Sequence, residues 1–580
     1  MKCSGRSRAC ASGTGEAGVL GIWDGHDAGV ALITANGLAF ALSEERPSRR
    51  KRFSGFPCLA LEAALDWSAA NGITLTDIAL AGRHGRAPLR ILEPLYRWSD
   101  PSRDPFSVPS RMARGWENIL PSLPGLRAVE SLIAATVVRA RSIRLVPRGK
   151  KSLRWHLVDH HDAHAFSALL GGEGNGPAAV ITWDAYGEGR SGSLRSAGNP
   201  LQALESMPTS AGIASLYGAI TVLMGFGEGD DGKVMGLAAS GSPEPARRRF
   251  RDLFDVRTGI PVLRQPLTRS GLLRILRDYS REDAAAGLQA AVEELALQWI
   301  DLARARVPGA RRLLLAGGLF GNVLLNRSIA SLPGVDECFV FPHMGDGGLA
   351  AGAAHAAWWS RYGSLVRPLR HVLLGPEPAP DDVAAVARQS GRVVCRAADQ
   401  AVEIARHLAA GRVVCRYAGR DEFGPRALGN RSVLFAANDP STPARVNAAL
   451  RRDGFMPFAP AVHPSEAAAA FPGSSSGADL RFMTCCADAS EAFRKQNPGA
   501  VHVDGTARPQ VADAVSAPAM NAVLTAARDL GLSAVVNTSF NLHGEPIVHT
   551  PTDAVRTFMA SGLDVLLMDD FVLGGNCALD

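Results

Sequence analysis

Two segments of the chain share one pattern, in which a short apolar run leads into an acidic, glycine-containing turn. Val19–Trp23 is followed by the turn Asp24–Asp27, and Ala178–Trp183 is followed by the turn Asp184–Gly189. Short apolar runs that end in turn residues predict buried strands. A supersecondary unit that occurs twice indicates an internal duplication, so we expect an α/β protein built around two related halves. The 580 residues leave room for a further domain.

A pair of histidines lies between these two units. His160 and His164 are four residues apart in VDHHDAHAFSAL, a stretch that predicts a helix with both imidazoles on one face. Asp184 and Asp346 each follow a predicted strand at a glycine-rich turn. Two imidazoles with carboxylates suit Fe(II), Mn or Zn. The four residues therefore predict a metal centre that assists chemistry on a phosphate-bearing ligand.

Two further glycine turns precede predicted helices. The strand Arg312–Ala316 leads into Gly317 and Gly318 and then into a helix, and Gly345 opens the turn before the alanine-rich helix Leu349–Trp358. Glycines at such places let a ligand approach the backbone N–H groups at the start of a helix. Either turn alone is equally well a simple chain reversal, whereas the two together favour a nucleotide site.

The second half of the chain has a different pattern. The proline-rich segment 367–382 predicts a linker, and three polar loops follow it: 419–432 with several arginines, 502–510 with Arg508, and 535–548 with short polar side chains. Arginine forks and short hydroxyl or amide groups suit phosphate or carboxylate. A capped turn with a surface arginine explains any one of these loops, but three loops in one lobe favour an anion site.

Composition narrows the setting of the protein. The nine cysteines include no Cys-x-x-Cys pair, which is typical of free thiols in a reducing compartment. No apolar run reaches about 18 residues, the length that spans a membrane, and residues 1–16 are basic without the apolar run of a signal peptide. We therefore expect a cytoplasmic protein with a disordered extension over residues 1–16. The basic segment Arg83–Arg154 faces either an anionic partner or solvent.

The motifs of the whole chain, taken in order, resemble those of the O-carbamoyltransferases of the NodU/CmcH type. The resemblance runs from Val19 to Val572 and rests on GHDAG, EERPSRRK, HHDAHAFSA, DDGKVMGLA, AGGLFGNVLLN, GDGGLAAGAA, EFGPRALGNRS, MPFAP, HVDGTARPQ and NTSFN. It implies a duplicated N-terminal lobe over residues 17–366, similar to the tRNA threonylcarbamoyl-transferase subunit of the kinase, Hsp70 and actin superfamily. A linker over residues 367–382 and a YrdC-like α/β lobe over residues 383–580 would complete the fold.

The same resemblance implies an ATP-dependent O-carbamoyltransferase. The C-terminal lobe would take carbamoyl phosphate and ATP with Mg, release phosphate and pyrophosphate, and form carbamoyl-AMP. The N-terminal lobe would hold Fe(II) or another divalent metal and pass the carbamoyl group to a hydroxyl of a small-molecule natural product or sugar. The resemblance implies no membrane or nucleic-acid partner, and it is compatible with a homodimer.

By position in the matching motifs, the resemblance assigns roles to individual residues. His26 would act on the reacting carbonyl, either as the base that accepts the hydroxyl proton or as a hydrogen-bond donor to the carbamoyl oxygen. The matching metal ligands are His160, His164, Asp184 and Asp346. The residues expected to bind nucleotide are Lys51, Gly187, Lys233, Gly317, Gly318, Asn322 and Gly345. The residues expected to bind carbamoyl phosphate or ATP in the C-terminal lobe are Arg420, Arg426, Arg431, Ser432, Arg508, Asn537 and Ser539.

Two other functions are weighed against this one. The basic segment is compatible with a tRNA-modifying threonylcarbamoyl-type transferase, which would use the same adenylate chemistry and bind nucleic acid in a salt-dependent way. A nucleotide-gated binding module of the Hsp70 or actin type is the non-enzymatic alternative. Such a module needs neither the histidine pair nor an arginine-rich second lobe. Pro47 and Arg52-Phe53 depart from the residues usual in similar sequences, which concerns the loop after EER and not the reaction.

Overall fold

The structure is a computed structural model in which two lobes pack against each other. It describes residues 15–82, 153–172, 176–198, 201–392, 394–452, 454, 458–473 and 477–574. Residues 1–14 of the expected extension and residues 83–152 of the basic segment lie outside this description, whereas Glu16 belongs to the first strand. Within the described ranges, no helix combines the length and the apolar composition needed to cross a membrane.

The N-terminal lobe is built on two five-stranded sheets. The first sheet contains β1 (Glu16–Trp23), β2 (Gly29–Thr34), β3 (Gly37–Ser43), β4 (Ile73–Ala81) and β5 (Arg154–Val158). The second sheet contains β6 (Ala178–Gly187), β7 (Arg190–Ala197), β8 (Gln202–Pro208), β11 (Arg312–Ala316) and β12 (Glu337–Val340). A separate hairpin is formed by β9 (Phe254–Asp255) and β10 (Val262–Leu263).

The two sheets have the same topology. The strand order is β3-β2-β1-β4-β5 in the first sheet and β8-β7-β6-β11-β12 in the second. In each, three consecutive strands pair antiparallel, and the first of them pairs parallel with the fourth, which pairs parallel with the fifth. This repeated order confirms the expected duplicated lobe.

One of the predicted turns is part of a strand. β6 continues through Asp184 to Gly187, and its pairing with β7 shifts register between Trp183 and Gly187. Such a bulge bends the strand and changes the direction of its side chains next to a site. The sequence predicted a turn here because the segment contains glycine, which is common in turns. The predicted strand Arg312–Ala316 and the predicted helix at the histidine pair are confirmed.

Helices cover the faces of these sheets. The helices of this lobe are α1 (Glu45–Ser48), α2 (Cys58–Ala70), α3 (His160–Ala168), α4 (Ile213–Leu223), α5 (Asp231–Ala238), α6 (Glu244–Arg251), α7 (Arg269–Arg277), α8 (Arg281–Ala305), α9 (Val323–Ala330) and α10 (Leu349–Tyr362). Helix α10 packs closely on α3 and β1. A Cβ at Gly352 would overlap the carbonyl oxygen of Ala163, and a Cβ at Gly21 would overlap that of Ala350. These contacts fix the histidine helix against the helix that follows Asp346.

The C-terminal lobe is built on one eight-stranded mixed sheet in the order β13-β22-β21-β14-β15-β20-β16-β19, with a separate pair, β17 and β18. Its strands are β13 (Val394–Arg396), β14 (Val414–Tyr417), β15 (Arg431–Ala436), β16 (Ala459–Val462), β17 (Ala487–Asp488), β18 (Thr506–Ala507), β19 (Gln510–Val511), β20 (Val535–Ser539), β21 (Val565–Met568) and β22 (Phe571–Leu573). Its helices are α11 (Pro380–Gln389), α12 (Gln400–Ala409), α13 (Thr442–Ala449), α14 (Pro464–Ala470), α15 (Glu491–Gln496), α16 (Pro518–Asp529) and α17 (Pro551–Ser561).

Both faces of this sheet are covered. Along β15, Val433 and Phe435 lie in one apolar core, and Leu434 and Ala436 lie in another. Successive residues of a strand point to opposite faces, so the two cores lie on either side of the sheet. The C-terminal lobe is therefore an α/β layered unit, as expected.

The proline-rich segment between the lobes packs against both of them. Leu369, Val372 and Leu374 are buried in an apolar core to which both lobes contribute. The Leu374 carbonyl accepts from the Ala41 N–H of β3 at 3.1 Å, and the Leu374 N–H donates to the Asp421 carbonyl at 3.0 Å. The first part of the expected linker is thus hydrogen-bonded to each lobe, and helix α11 already begins at Pro380.

The cysteines agree only in part with the expectation of free thiols. Cys58, Cys338, Cys415 and the adjacent pair Cys485 and Cys486 are not disulfide-bonded. Cys395 is disulfide-bonded, so the expectation is wrong at this residue. Spacing along the chain does not reveal such a bond, because it depends on which segments meet in space.

Candidate functional site

The histidine pair and the two predicted aspartates converge at one point. Ligand atoms of His160, His164, Asp184 and Asp346 all lie within 4.8 Å of one another. The histidines lie on the first turns of α3, whose start is capped by Asp159, which accepts hydrogen bonds from the backbone of the first turn. Asp184 lies at the bulge of β6 and Asp346 in the turn before α10. Three elements that are distant in sequence therefore supply one cluster.

The donor set suits a divalent cation. His164 Nε2 lies 3.1 Å from Asp184 Oδ2 and 3.6 Å from Asp346 Oδ1, and His160 Nε2 lies 3.6 Å from the same Asp346 oxygen. His160 Nε2 is buried and has no hydrogen-bond partner in the described part of the chain. A buried polar nitrogen normally has a hydrogen-bond partner. One that lacks a partner and faces two carboxylates is suited to bind a metal ion. The residues therefore fit the expected metal.

The electrostatics of the cluster also favour a cation. Burial disfavours the charged imidazole of His164, but the hydrogen bonds and charges of Asp184 and Asp346 outweigh burial and raise the pKa of His164 to about 9. Burial likewise disfavours the ionised carboxylates, yet the facing imidazoles hold the pKa values of Asp184 and Asp346 well below their usual range. Both aspartates are thus ionised at neutral pH, and positive charge stabilises them.

Glycines make room for the ligands. A Cβ at Gly187 would overlap the His160 ring, and a Cβ at Gly318 would lie 3.0 Å from Asp184 Oδ1. Gly317 has φ of 115°, and a Cβ there would overlap the carbonyl of Trp183. These three residues, expected at a nucleotide site, lie beside the metal cluster and limit how the ligands are oriented.

His26 lies next to the cluster, in the turn between β1 and β2. Its Nε2 lies 3.0 Å from Asp346 Oδ2, the oxygen not directed at the two histidines, and its Nδ1 lies 3.1 Å from Asp27 Oδ2. The side chain is 57% exposed. His26 is therefore held between two carboxylates and remains accessible to a substrate.

A cavity of about 490 Å³ lies between the two lobes. Its N-terminal side is lined by Asp27, Ser43, Lys51, Lys233 and His343, among others. Its C-terminal side is lined by residues of three predicted polar loops and by one further arginine: Arg426, Arg452, Arg508, Asn537, Thr538 and Ser539. One chamber thus connects the surroundings of His26 with an arginine-rich wall.

Arg426 and Arg508 form an unusual pair in this wall. Each is half-buried, and neither has an acidic partner among the described residues. The charge of Arg508, together with burial, lowers the pKa of Arg426 to about 9, and burial lowers the pKa of Arg508. Arg508 Nε is also without a hydrogen-bond partner in the described ranges. Two neighbouring, half-buried cations that face no carboxylate in the described part of the chain are stabilised by a bound anion.

Arg452 was not predicted from the sequence. Its guanidinium donates to Thr538 Oγ1 at 2.6 Å and to the Ser539 carbonyl and hydroxyl oxygens at 2.6 and 2.9 Å. Burial lowers its pKa to about 10. The signal that could have found it is its place four residues before the MPFAP motif, since family motifs cluster at sites.

Three of the predicted C-terminal residues are used within the fold. Arg431 pairs with Asp421, with 2.7 Å between Nε and Oδ1, and has no exposed surface. Ser432 Oγ is buried and accepts from the Gly429 N–H at 3.0 Å. Arg420 donates to the Gly375 carbonyl at 2.8 Å and to that of Ala39 at 3.0 Å. The side chains of these residues do not line the cavity, because the surrounding backbone and Asp421 engage them.

Asn322 and Gly345 lie away from the cavity wall. The Asn322 side chain caps α9 by accepting from the Leu325 N–H at 3.0 Å, and it exchanges two hydrogen bonds with the Gln289 amide at 2.9 and 3.0 Å. Its oxygen and nitrogen are therefore engaged within the lobe. Gly345 precedes the turn of Asp346, and nothing lies within 4 Å of a Cβ built there.

The chain resembles known proteins in both of its lobes. The chain matches the family model described as "Carbamoyltransferase N-terminus" over residues 130–355 and the one described as "Carbamoyltransferase C-terminus" over residues 405–574. It is 31% identical over 438 residues to nodulation protein NolO of Bradyrhizobium diazoefficiens, which covers 72% of this chain and 78% of that protein. The chain belongs to the carbamoyltransferase family.

Two further relatives align with nearly the whole length of this carbamoyltransferase. Nodulation protein NolNO of Sinorhizobium fredii is 29% identical, covering 94% of this chain and 79% of that protein. The 3'-hydroxymethylcephem-O-carbamoyltransferase of Streptomyces clavuligerus is 25% identical, covering 93% of this chain and 95% of that protein. The resemblance to O-carbamoyltransferases of the NodU/CmcH type is confirmed, and the protein is an enzyme, a carbamoyltransferase.

Proposed function

We propose that the protein is an ATP-dependent O-carbamoyltransferase that carries out two half-reactions in one chamber. The C-terminal lobe forms carbamoyl-AMP from carbamoyl phosphate and ATP, and the N-terminal lobe passes the carbamoyl group to a hydroxyl of a small molecule. The observation that carries this proposal is one cavity lined both by Arg426 and Arg508, which have no acidic partner among the described residues, and by Asp27, the neighbour of His26.

The first half-reaction removes phosphate from the carbamoyl group and attaches the resulting carbamate to the α-phosphorus of ATP. Atom balance requires one water, which replaces phosphate on the carbamoyl carbon and leaves carbamate. A carbamate oxygen then bonds to the α-phosphorus of ATP, and pyrophosphate leaves. Arg426, Arg508 and Arg452, with the Ser539 hydroxyl, are the groups we assign to these phosphates, since guanidinium forks stabilise the charge of phosphate oxygens. Asn537 lines the same wall.

In the second half-reaction, the acceptor oxygen bonds to the carbamoyl carbon, and the bond from that carbon to the AMP oxygen breaks. His26 either accepts the hydroxyl proton or donates a hydrogen bond to the carbamoyl oxygen, and Asp27 and Asp346 orient its ring. A divalent cation, Fe(II) by resemblance, held by the four clustered ligands, would neutralise charge on the departing AMP. Lys51 and Lys233 line the same end of the chamber and would face the AMP phosphate or the acceptor.

We assign a small natural product or sugar with a free hydroxyl as the acceptor. A chamber of about 490 Å³ has the size of a small-molecule site rather than of a polymer groove. The name of the Streptomyces clavuligerus relative specifies a hydroxymethyl group on a small molecule. A screen of hydroxyl compounds with labelled carbamoyl phosphate identifies the acceptor.

The first half-reaction is testable before the acceptor is known. With carbamoyl phosphate, ATP and Mg, the purified, metal-loaded protein should release both phosphate and pyrophosphate, and omission of carbamoyl phosphate should stop pyrophosphate release. Coupled assays measure the two products separately. A folded protein that releases neither would contradict the proposal.

Arg508→Met provides the matched test of the arginine wall. It should lose pyrophosphate release by about 100-fold or more, the usual cost of removing a group that stabilises transition-state charge. Arg445→Met is the control, since Arg445 pairs with Asp564 inside the C-terminal lobe at 2.9 Å and does not line the cavity. Equal activity of the two variants would show that the wall does not bind the phosphates.

A further inference from the structure

Two arginines of the EERPSRRK motif cross from the N-terminal lobe to the C-terminal lobe. Arg46 lies within the one-turn helix α1, and Arg49 directly follows that helix. Arg46 is buried and donates to the Gly424 carbonyl at 3.3 Å. Arg49 Nη1 donates to the Ile547 carbonyl at 2.6 Å, and its Nη2 donates to the Pro546 carbonyl at 2.9 Å. All three acceptors belong to the other lobe.

Arg49 makes a third contact across the same boundary. Its Nε lies 3.3 Å from Asp553 Oδ1. The other carboxylate oxygen of Asp553 accepts from the Thr550 N–H at 3.0 Å and so helps to cap α17. The guanidinium therefore meets two carbonyls and one carboxylate, and charge-assisted bonds of this kind are stronger than neutral ones.

The backbone at Arg49 is also constrained. Arg49 has φ of 57° and Arg52 has φ of 53°. A positive φ is uncommon for a residue other than glycine and persists only where surrounding contacts hold it. The segment from α1 to Arg52 is thus held in a conformation that directs Arg49 toward the C-terminal lobe.

The contacts of Arg49 lie directly behind the wall of the chamber. Pro546 and Ile547, whose carbonyls accept from Arg49, line the cavity, and so do Glu45 and Lys51 on either side of Arg49 in sequence. Arg49 itself does not line the cavity. It therefore holds together the two edges of the wall at the place where the lobes meet.

We propose that Arg49 is a positioning residue that closes this seam and keeps carbamoyl-AMP inside the chamber until transfer. The inference rests on the proposed function. Carbamoyl-AMP is a mixed anhydride, and when water rather than the acceptor attacks its carbamoyl carbon, the bond to AMP breaks and AMP and carbamate are released, which wastes one ATP. Without Arg49, the Pro546 and Ile547 carbonyls and Asp553 lose their partner, and water gains access at the seam.

The test uses the full-length, metal-loaded protein with ATP, Mg and carbamoyl phosphate and without an acceptor. In rapid-quench experiments the wild type should give a burst of pyrophosphate stoichiometric with enzyme and then slow AMP release. Arg49→Met should keep the amplitude and rate of the burst. Its AMP release after the burst should rise about tenfold, which corresponds to about 1.4 kcal/mol, the size of one lost hydrogen bond to a charged group.

Two further variants complete the design. Arg49→Lys keeps a charge opposite Asp553 but cannot reach both carbonyls, so its AMP release should be intermediate, and it carries the test if Arg49→Met does not fold. Arg445→Met, which removes a guanidinium paired within one lobe, should behave as the wild type.

The outcomes separate this inference from the proposed function. Wild-type AMP release after the burst in a folded Arg49→Met protein would overturn the inference. Loss of the burst in that variant would also overturn it, because Arg49 would then serve adenylate formation. A wild-type protein without any burst would overturn the proposed function, and the inference with it.

Discussion

At the scale of single residues, the chain keeps an arrangement that its stability alone would not favour. Arg426 and Arg508 are half-buried and lie close enough for the charge of Arg508 to lower the pKa of Arg426. Like charges that are partly removed from water and face no carboxylate among the described residues destabilise the folded state. Strained or destabilised groups of this kind concentrate at functional sites, which is why we assign phosphate binding to this pair.

Arg426→Met should therefore make the fold more stable and the enzyme inactive. The apolar side chain removes the repulsion from Arg508, which should raise the free energy of unfolding by about 1–2 kcal/mol. Acceptor-free pyrophosphate release should fall by about 100-fold or more. Denaturant unfolding and the pyrophosphate assay measure the two effects, and a destabilised variant that keeps its activity would contradict this account.

His26 provides a second prediction at this scale. With an acceptor from the screen, His26→Ala should lower carbamoyl transfer by about 100-fold. Acceptor-free pyrophosphate release should not change, because His26 lies beside Asp346 in the N-terminal lobe, whereas the arginine wall belongs to the C-terminal lobe. His26→Gln, which keeps a hydrogen-bond donor but not a base, should restore transfer only if His26 acts as a donor. A parallel loss of pyrophosphate release in His26→Ala would refute the division of roles.

At the scale of secondary-structure elements, the metal cluster depends on how closely the elements approach one another. α3, the bulge of β6 and the turn before α10 supply its four ligands. The contact of Gly187 with the His160 ring and the contact of Gly352 with α3 leave no space for a methyl group. The orientation of the imidazoles is thus set by glycines that are not ligands.

Gly187→Ala tests this dependence. The added methyl group should displace the His160 ring and weaken binding of a divalent metal by about tenfold or more, as loss of an orienting contact commonly does. Metal titration of the purified variant measures the effect. The control is Gly473→Ala, since nothing lies within 4 Å of a Cβ at Gly473. Wild-type affinity in Gly187→Ala would show that the ring orientation is not set by this contact.

At the scale of the whole molecule, the two lobes share one chamber. The metal cluster lies in the N-terminal lobe, and the arginine wall is supplied by the C-terminal lobe. Arg46, Arg49 and Arg420 fasten the lobes to each other and to the connecting segment. If each lobe carries out one half-reaction, as we propose, one half-reaction can be stopped without the other.

Removal of the proposed metal should therefore stop transfer alone. After treatment with a chelator selective for Fe(II) and with Mg supplied in excess, acceptor-free pyrophosphate release should continue, while carbamoylation of the acceptor should fall below detection. Addition of Fe(II) should restore it. Both activities are followed in the same sample, and a simultaneous loss of pyrophosphate release would mean that the metal also serves the C-terminal lobe.

Much of the fold was predictable because its signals are local. The strand Arg312–Ala316 is a continuous apolar run, and the i, i+4 spacing of His160 and His164 places both on one helical face whatever the rest of the chain does. The bulge at Asp184 was not predictable, since its glycine-rich residues have the composition of a turn, and only pairing with β7 extends the strand.

The arginines show where sequence reasoning ended. Arg420, Arg426 and Arg431 lie within the predicted loop 419–432, and the sequence alone does not distinguish which of them binds phosphate. Asp421 and the neighbouring carbonyls engage Arg431, and carbonyls of the connecting segment and β3 engage Arg420. Only Arg426 of the three lines the cavity.

The sequence by itself determined the elements, the duplicated N-terminal lobe and the residue types of the metal cluster, because each of these follows from periodicity over a few residues or from motifs. The tertiary structure alone decided which charged side chains face the chamber and which fasten the lobes. The direction of a long side chain depends on partners that are remote in sequence, as Arg49 and the Ile547 carbonyl, 498 residues apart, illustrate.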